Sequence, residues 1–144
     1  MSGRPSTSTR PSRGFLTVLI VIYGIFALSA TARSTVQIAT DFDEAPVAYL
    51  LSLVAALTYI AATVLLARLR EDLRGALVLC SAELIGVLVV GTLSVADPAL
   101  FPRATVWSGY GIGYGCVPLL LPVVALTYLV RRHLRTRRET KETP

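Results

Sequence analysis

Charged residues are scarce in this chain. They make up 16% of its 144 residues, whereas hydrophobic residues make up 53% and the mean hydropathy is +0.63. A soluble domain of this size carries about 25% charged residues. The composition therefore excludes an ordinary water-facing surface, and we predict that lipid surrounds most of the chain.

Side chains that carry chemistry are also few. The chain has one histidine and two cysteines. His133 lies in a basic C-terminal segment, and Cys80 and Cys116 lie in separate apolar stretches without the spacing of a metal site or a disulfide framework. We predict no cofactor, no metal ion and no catalytic residue, and hence a protein that is not an enzyme.

Four long apolar stretches are present, at residues 15–32, 47–67, 75–96 and 106–130. A helix needs about 20 apolar residues to cross a bilayer core of about 30 Å. Continuous apolar runs favour helices over membrane β-strands, in which polar and apolar residues alternate. The sequence therefore predicts an all-α fold, a transmembrane four-helix bundle over residues 14–130.

Basic residues are distributed unequally between the two sides of these spans. Twelve of the 14 Lys and Arg residues lie in segments 1–13, 68–74 and 131–144. Positive charge is retained on the cytoplasmic side, so both termini are predicted to be cytoplasmic in a multi-pass plasma-membrane protein. Segments 1–13 and 131–144 are predicted to be disordered tails beside anionic lipid headgroups, and nucleic acid is not predicted as a partner.

The first span has a second interpretation. A basic N-terminal segment, an apolar run and the sequence Ala30-Thr31-Ala32 resemble a cleavable signal peptide. The apolar run is long for a signal peptide, and a further span follows instead of an exported domain. Cleavage would leave three spans.

Glu83 is the one acidic residue inside the predicted spans, and an intramembrane carboxyl marks a functional site by default. Counting from the cytoplasmic ends of the spans places Tyr23, Tyr59 and Pro122 at a similar depth, roughly 12 Å into the core. We predict an intramembrane polar site of Glu83, Tyr23 and Tyr59. It would be a proton or cation relay, a hydrogen-bonded link between helices, or a lipid-facing group if the span limits are misplaced.

Glycines and prolines are concentrated in the fourth span. Two G-x-x-x-G pairs would let another helix approach closely, which predicts a packing surface within the bundle or in a dimer. These glycines are Gly109, Gly111, Gly113 and Gly115. A selectivity filter is the alternative that the two G-Y-G triplets suggest, but no separate pore helix precedes them. Pro118 and Pro122 share one helix face and are predicted to kink the span.

Three residues near the extracytoplasmic side have simple predicted roles. Trp107 and Tyr49 fit the aromatic belt at the membrane interface. Arg33, at the end of the first span, is predicted to reach headgroups or the acidic groups on the same side. Those acidic groups are Asp41, Asp43, Glu44 and Asp97.

Segments 26–34, 42–46 and 97–102 resemble those of small four-span integral membrane proteins of actinobacteria, an uncharacterised group. The resemblance implies a multi-pass plasma-membrane protein and carries no catalytic residue with it. From the residues themselves we predict a non-enzymatic accessory or scaffold subunit that packs through Gly109 to Gly115 against a membrane partner or a second copy. The alternative is a small oligomeric transporter or channel with Glu83 as its ion-coupled residue.

Overall fold

The protein is helical throughout the part that the computed structural model describes, residues 11–69 and 71–142. Four α-helices are present: α1 is Pro11–Asp41, α2 is Pro46–Ala67, α3 is Leu73–Ala96 and α4 is Val117–Glu142. Short 3-10 turns occupy Phe42–Glu44, Pro98–Leu100 and Ser108–Tyr114. The described residues contain no strand. Arg70, residues 1–10 and residues 143–144 lie outside the description. The predicted disorder of segment 1–13 therefore lies outside it at residues 1–10, and it is wrong at residues 11–13, which belong to α1.

All four helices are long and apolar enough to cross a membrane. At about 1.5 Å per residue, even the 22 residues of α2 exceed the bilayer core. Large apolar side chains cover the outside of the bundle, and several are more than half exposed, such as Leu28 at 75% and Val78 at 70%. Such a surface suits lipid better than water. The structure confirms the prediction of four helices that are long and apolar enough to span a membrane.

The helices run up and down in chain order, so the two ends of the bundle differ. The terminal end carries the start of α1 and the end of the apolar part of α4, where the rings of Phe15 and Tyr128 lie 5.5 Å apart. The distal end carries the connections 42–45 and 97–116. There Arg103 donates to Glu44 Oε2 over 2.8 Å. Both partners are exposed, so we expect this ion pair to contribute little stability.

Small residues line the contact between α1 and α2. Ala27 and Ala30 of α1 and Ala55 and Ala56 of α2 belong to one buried cluster, and small side chains let helix backbones approach closely. Hydroxyl groups on the helices donate to the carbonyl four residues earlier, as Ser52 does to Ala48. These bonds satisfy the hydroxyls without help from water.

The first helix is longer than the predicted span 15–32, because α1 continues to Asp41. Residues 33–41 are more polar than the span but contain no Gly or Pro that would end the helix, and their hydroxyls are satisfied within it. Ser34 donates to the Ala30 carbonyl, and Thr35 donates to the Thr31 carbonyl. The second and third spans agree with α2 and α3 to within two residues.

The fourth predicted span, 106–130, is wrong over residues 106–116, nearly half of its length, because the α-helix begins only at Val117. The preceding glycine segment, Ser108–Tyr114, has left-handed backbone angles at three consecutive residues, with φ of 55°, 60° and 79° at Gly109, Tyr110 and Gly111. Left-handed residues cannot continue a right-handed helix. The prediction that glycines 109, 111, 113 and 115 form a helix-packing face is therefore wrong.

Both ends of α4 differ from the prediction. Pro118 lies in its first turn, where the missing N–H has no helical partner to lose, so its predicted kink is wrong. Pro122 lies inside the helix, and a kink there stays a prediction. Segment 131–142 is helical, contrary to the predicted disorder, because Arg, Leu, Lys and Glu are good helix formers that extend a helix already begun.

Candidate functional site

Glu83 occupies the centre of the candidate site. It lies on α3 with 1% of its surface exposed, and the Tyr23 hydroxyl on α1 donates to its Oε2 atom over 2.8 Å. Its other oxygen, Oε1, is buried without a hydrogen-bond partner among the described residues. The carboxyl group therefore joins two helices through one oxygen and leaves the other available.

Tyr59 completes the site from α2. Its ring centroid lies 6.2 Å from that of Tyr23, and both tyrosines are fully buried. The Tyr59 hydroxyl accepts a hydrogen bond of 3.0 Å from Nε1 of Trp107. The structure thus brings Glu83, Tyr23 and Tyr59 together, as the depth of each residue in its span predicts.

Cys80 lies one helical turn before Glu83. It precedes Glu83 by three residues on α3 and is fully buried. Residues three apart share one face of a helix, so the thiol and the carboxyl group lie on the same face of α3.

The Glu83 carboxyl group, with one oxygen hydrogen-bonded and the other not, can take part in only a few kinds of chemistry. A buried polar atom without a partner costs about 1–3 kcal/mol, and the low local dielectric increases any electrostatic interaction with it. The Oε1 atom can accept a proton or a hydrogen bond, or contribute one oxygen ligand to a small cation. Glu83, Tyr23 and Tyr59 are suited to proton or cation binding, and the same contacts also link the helices.

Trp107 belongs to this site, although the sequence-based prediction does not place it there. It is only 4% exposed, so its predicted role as an interfacial belt residue is wrong. Its ring lies against Gly86, where an added Cβ would be 2.9 Å from the nearest ring atom. The available signal was the indole N–H, which requires an acceptor when it is buried, together with the predicted core position of Tyr59.

The glycine segment packs against the distal part of α3. The Gly109 N–H donates to Ser94 Oγ over 2.8 Å, and an added Cβ on Gly91 would lie 2.5 Å from the Tyr110 ring. These contacts hold the irregular backbone of the segment against α3 before α4 begins at Val117.

Arg33 does not contact the acidic groups that the sequence suggests. Its guanidinium group donates from Nη1 to the Tyr114 hydroxyl and from Nη2 to the Ala104 carbonyl, the latter over 3.2 Å. It also lies 5.8 Å from the centroid of the Tyr114 ring. Arg103 pairs with Glu44 instead, and the predicted pairing of Arg33 with acidic groups is wrong.

The candidate site therefore combines Glu83, Tyr23 and Tyr59 with Cys80 and Trp107, all of them buried within the helix bundle. Comparisons with protein-family models, with curated proteins and with solved structures find no match for this chain.

Proposed function

We propose that this chain is a non-enzymatic multi-pass membrane protein that binds and releases a proton or small cation at Glu83, as a small ion-coupled transporter or channel. The single observation that carries the proposal is the Oε1 atom of Glu83, which is buried and has no hydrogen-bond partner in the part of the chain that the structure describes. A carboxyl retained only to hold helices together gains nothing from an unsatisfied oxygen, because a half-satisfied buried network costs stability.

A second candidate is the accessory or scaffold subunit. Two hydrogen bonds favour it, because the bond from Tyr23 to Glu83 joins α1 to α3 and the bond from Trp107 to Tyr59 joins the segment before α4 to α2. Its contact surface would be the exposed apolar side chains of the helices and not a glycine face. A stoichiometric membrane partner that co-purifies in mild detergent would support this role.

The protein would lie in the plasma membrane with both termini in the cytoplasm. By the unequal distribution of basic residues, the terminal end of the bundle faces the cytoplasm and the distal end faces the outside of the plasma membrane. The basic continuation of α4 would contact anionic lipid headgroups, without a role in binding nucleic acid. The transporter or channel would be a homo-oligomer, because four helices enclose little volume. The chain would also be a member of the actinobacterial group that its sequence resembles.

Proton flux through reconstituted protein tests the proposed role. Wild-type protein in liposomes that contain a pH-sensitive dye should conduct protons when a potassium diffusion potential is imposed. We expect Glu83→Gln to reduce the flux to that of protein-free liposomes, because an amide keeps the shape and the hydrogen bond but cannot exchange the proton. Sodium and potassium gradients in the same liposomes test cation binding.

The matched control is Glu71→Gln. Glu71 is an exposed carboxylate in the connection before α3, so its replacement removes the same charge outside the bundle and should leave the flux unchanged. Thermal unfolding of each variant verifies that the fold is retained. Wild-type protein without flux of any of these ions, or equal flux in Glu83→Gln, would refute the ion-coupled role.

A further inference from the structure

A separate cavity opens at the distal end of the bundle. It has a volume of about 330 Å³ and lies between α1, the end of α3 and the glycine segment. This volume is in the range of small-molecule sites, about 300–1,000 Å³. None of the residues around it belongs to the Glu83 site.

The described lining of this cavity contains one charged residue, Arg33, and no carboxylate. Arg33 is half-buried, and within the described residues its guanidinium group forms no ion pair. The Tyr114 hydroxyl and the Ala104 carbonyl orient it. These two contacts use two of its five N–H donors, so three remain for a ligand.

The rest of the lining is partly polar and partly apolar. Ser94 and Ser108 bring hydroxyl groups, although both bond to the surrounding backbone. Val95, Phe101 and Ile112 bring apolar surface, and Ile112 is 72% exposed. A ligand with an anionic group at Arg33 and an apolar or glycerol part over these side chains matches this distribution.

We propose that the distal cavity binds a phosphate ester, with Arg33 as the residue that pairs with the phosphate oxygens. A guanidinium group presents a rigid fork of donors that matches the geometry of phosphate, and a half-buried cation without a counterion gains from an anionic ligand. The phosphate belongs either to the headgroup of an anionic lipid in the adjacent leaflet or to a soluble phosphate ester. The inference does not depend on the role of Glu83.

Fluorescence of Trp107, the one tryptophan of the chain, provides the test. Its backbone N–H donates to Oγ1 of Thr105, which lines the cavity. Glycerol phosphate and phosphatidylglycerol are titrated separately into the full chain in a neutral detergent, with zwitterionic phosphatidylcholine as the matched lipid. Saturation by glycerol phosphate would identify a soluble ester, and saturation by phosphatidylglycerol alone would identify a lipid headgroup.

Two sets of variants test the assignment to Arg33 and its cavity. Arg33→Gln should weaken binding by at least about tenfold, the effect of losing a charge-assisted hydrogen bond, whereas Arg103→Gln should bind like the wild type. Gly113 lines the cavity, and a Cβ on it would meet nothing within 4 Å. Gly113→Asp should therefore weaken binding by repulsion, whereas its neutral isostere Gly113→Asn should not.

Wild-type protein that responds to neither probe, or that responds equally to phosphatidylcholine, would overturn the proposal. Equal binding by Gly113→Asp and Gly113→Asn would also overturn it. The glycine pair retains Arg33 and its contacts, so it remains decisive if Arg33→Gln does not fold.

Discussion

Replacing Trp107 with alanine is expected to lower the free energy of unfolding by about 3–5 kcal/mol, the range for a buried tryptophan. The indole ring fills the space beside Gly86 and is 4% exposed. Its removal leaves a cavity between α3 and the segment before α4. It also removes the donor to the Tyr59 hydroxyl. Reversible unfolding in mixed micelles, followed by circular dichroism, measures the effect.

Two further variants separate the causes of this loss. Trp107→Phe keeps an aromatic ring and loses the N–H group, so it should cost less than Trp107→Ala. Ile112→Ala removes a large apolar side chain that is 72% exposed, and its effect should stay within about 1 kcal/mol. A loss of under 1 kcal/mol in Trp107→Ala would contradict the buried position and restore the interfacial belt role.

Gly111→Ala is expected to have the second large effect. The backbone at Gly111 has a φ of 79°, and an added Cβ would lie 2.7 Å from the ring of Pro118. A left-handed alanine costs about 1–2 kcal/mol, and overpacking adds about 1–3 kcal/mol. The variant should therefore be less stable by at least about 2 kcal/mol in the same unfolding measurement.

The neighbouring glycines provide matched controls. Gly115 has a φ of 64° with nothing within 4 Å of an added Cβ, so Gly115→Ala should show the backbone cost alone. Gly113 has the same open space without a left-handed angle, and Gly113→Ala should be nearly neutral. If all three variants had equal stability, the glycine segment would not have this backbone, and the predicted fourth helix would stand.

Much of the fold follows from the sequence, because hydropathy and helix length decide it. Apolar runs at 47–67 and 75–96 predict α2 and α3 closely. The same criterion fails at 106–116, since a glycine-rich segment is apolar enough to count as a span whatever its backbone angles. Hydropathy misplaces the end of α1 for the opposite reason. Hydroxyl groups that bond back to the helix lower the hydropathy of residues 33–41 without ending the helix.

The sequence predicts the depth of the candidate site in the bundle, but it does not predict all of the residues that contact one another there. Glu83, Tyr23 and Tyr59 lie equally far from those ends of their predicted spans that meet at the terminal end of the bundle, and this depth predicts their proximity. Trp107 enters the site only because the chain before α4 is not helical. That position depends on the left-handed angles of the glycine segment, which single-residue composition does not determine.

Infrared spectroscopy of the protein in lipid detects directly whether Glu83 exchanges a proton. Subtracting the spectrum of Glu83→Gln isolates the carbonyl stretch of the protonated Glu83 carboxyl. We predict a band that is present in wild type, absent in Glu83→Gln and weaker as the pH rises, while the helix content stays constant. A band that keeps its intensity at every pH at which the protein remains folded would show that the Glu83 carboxyl does not exchange its proton. That result would contradict the proposed role of Glu83.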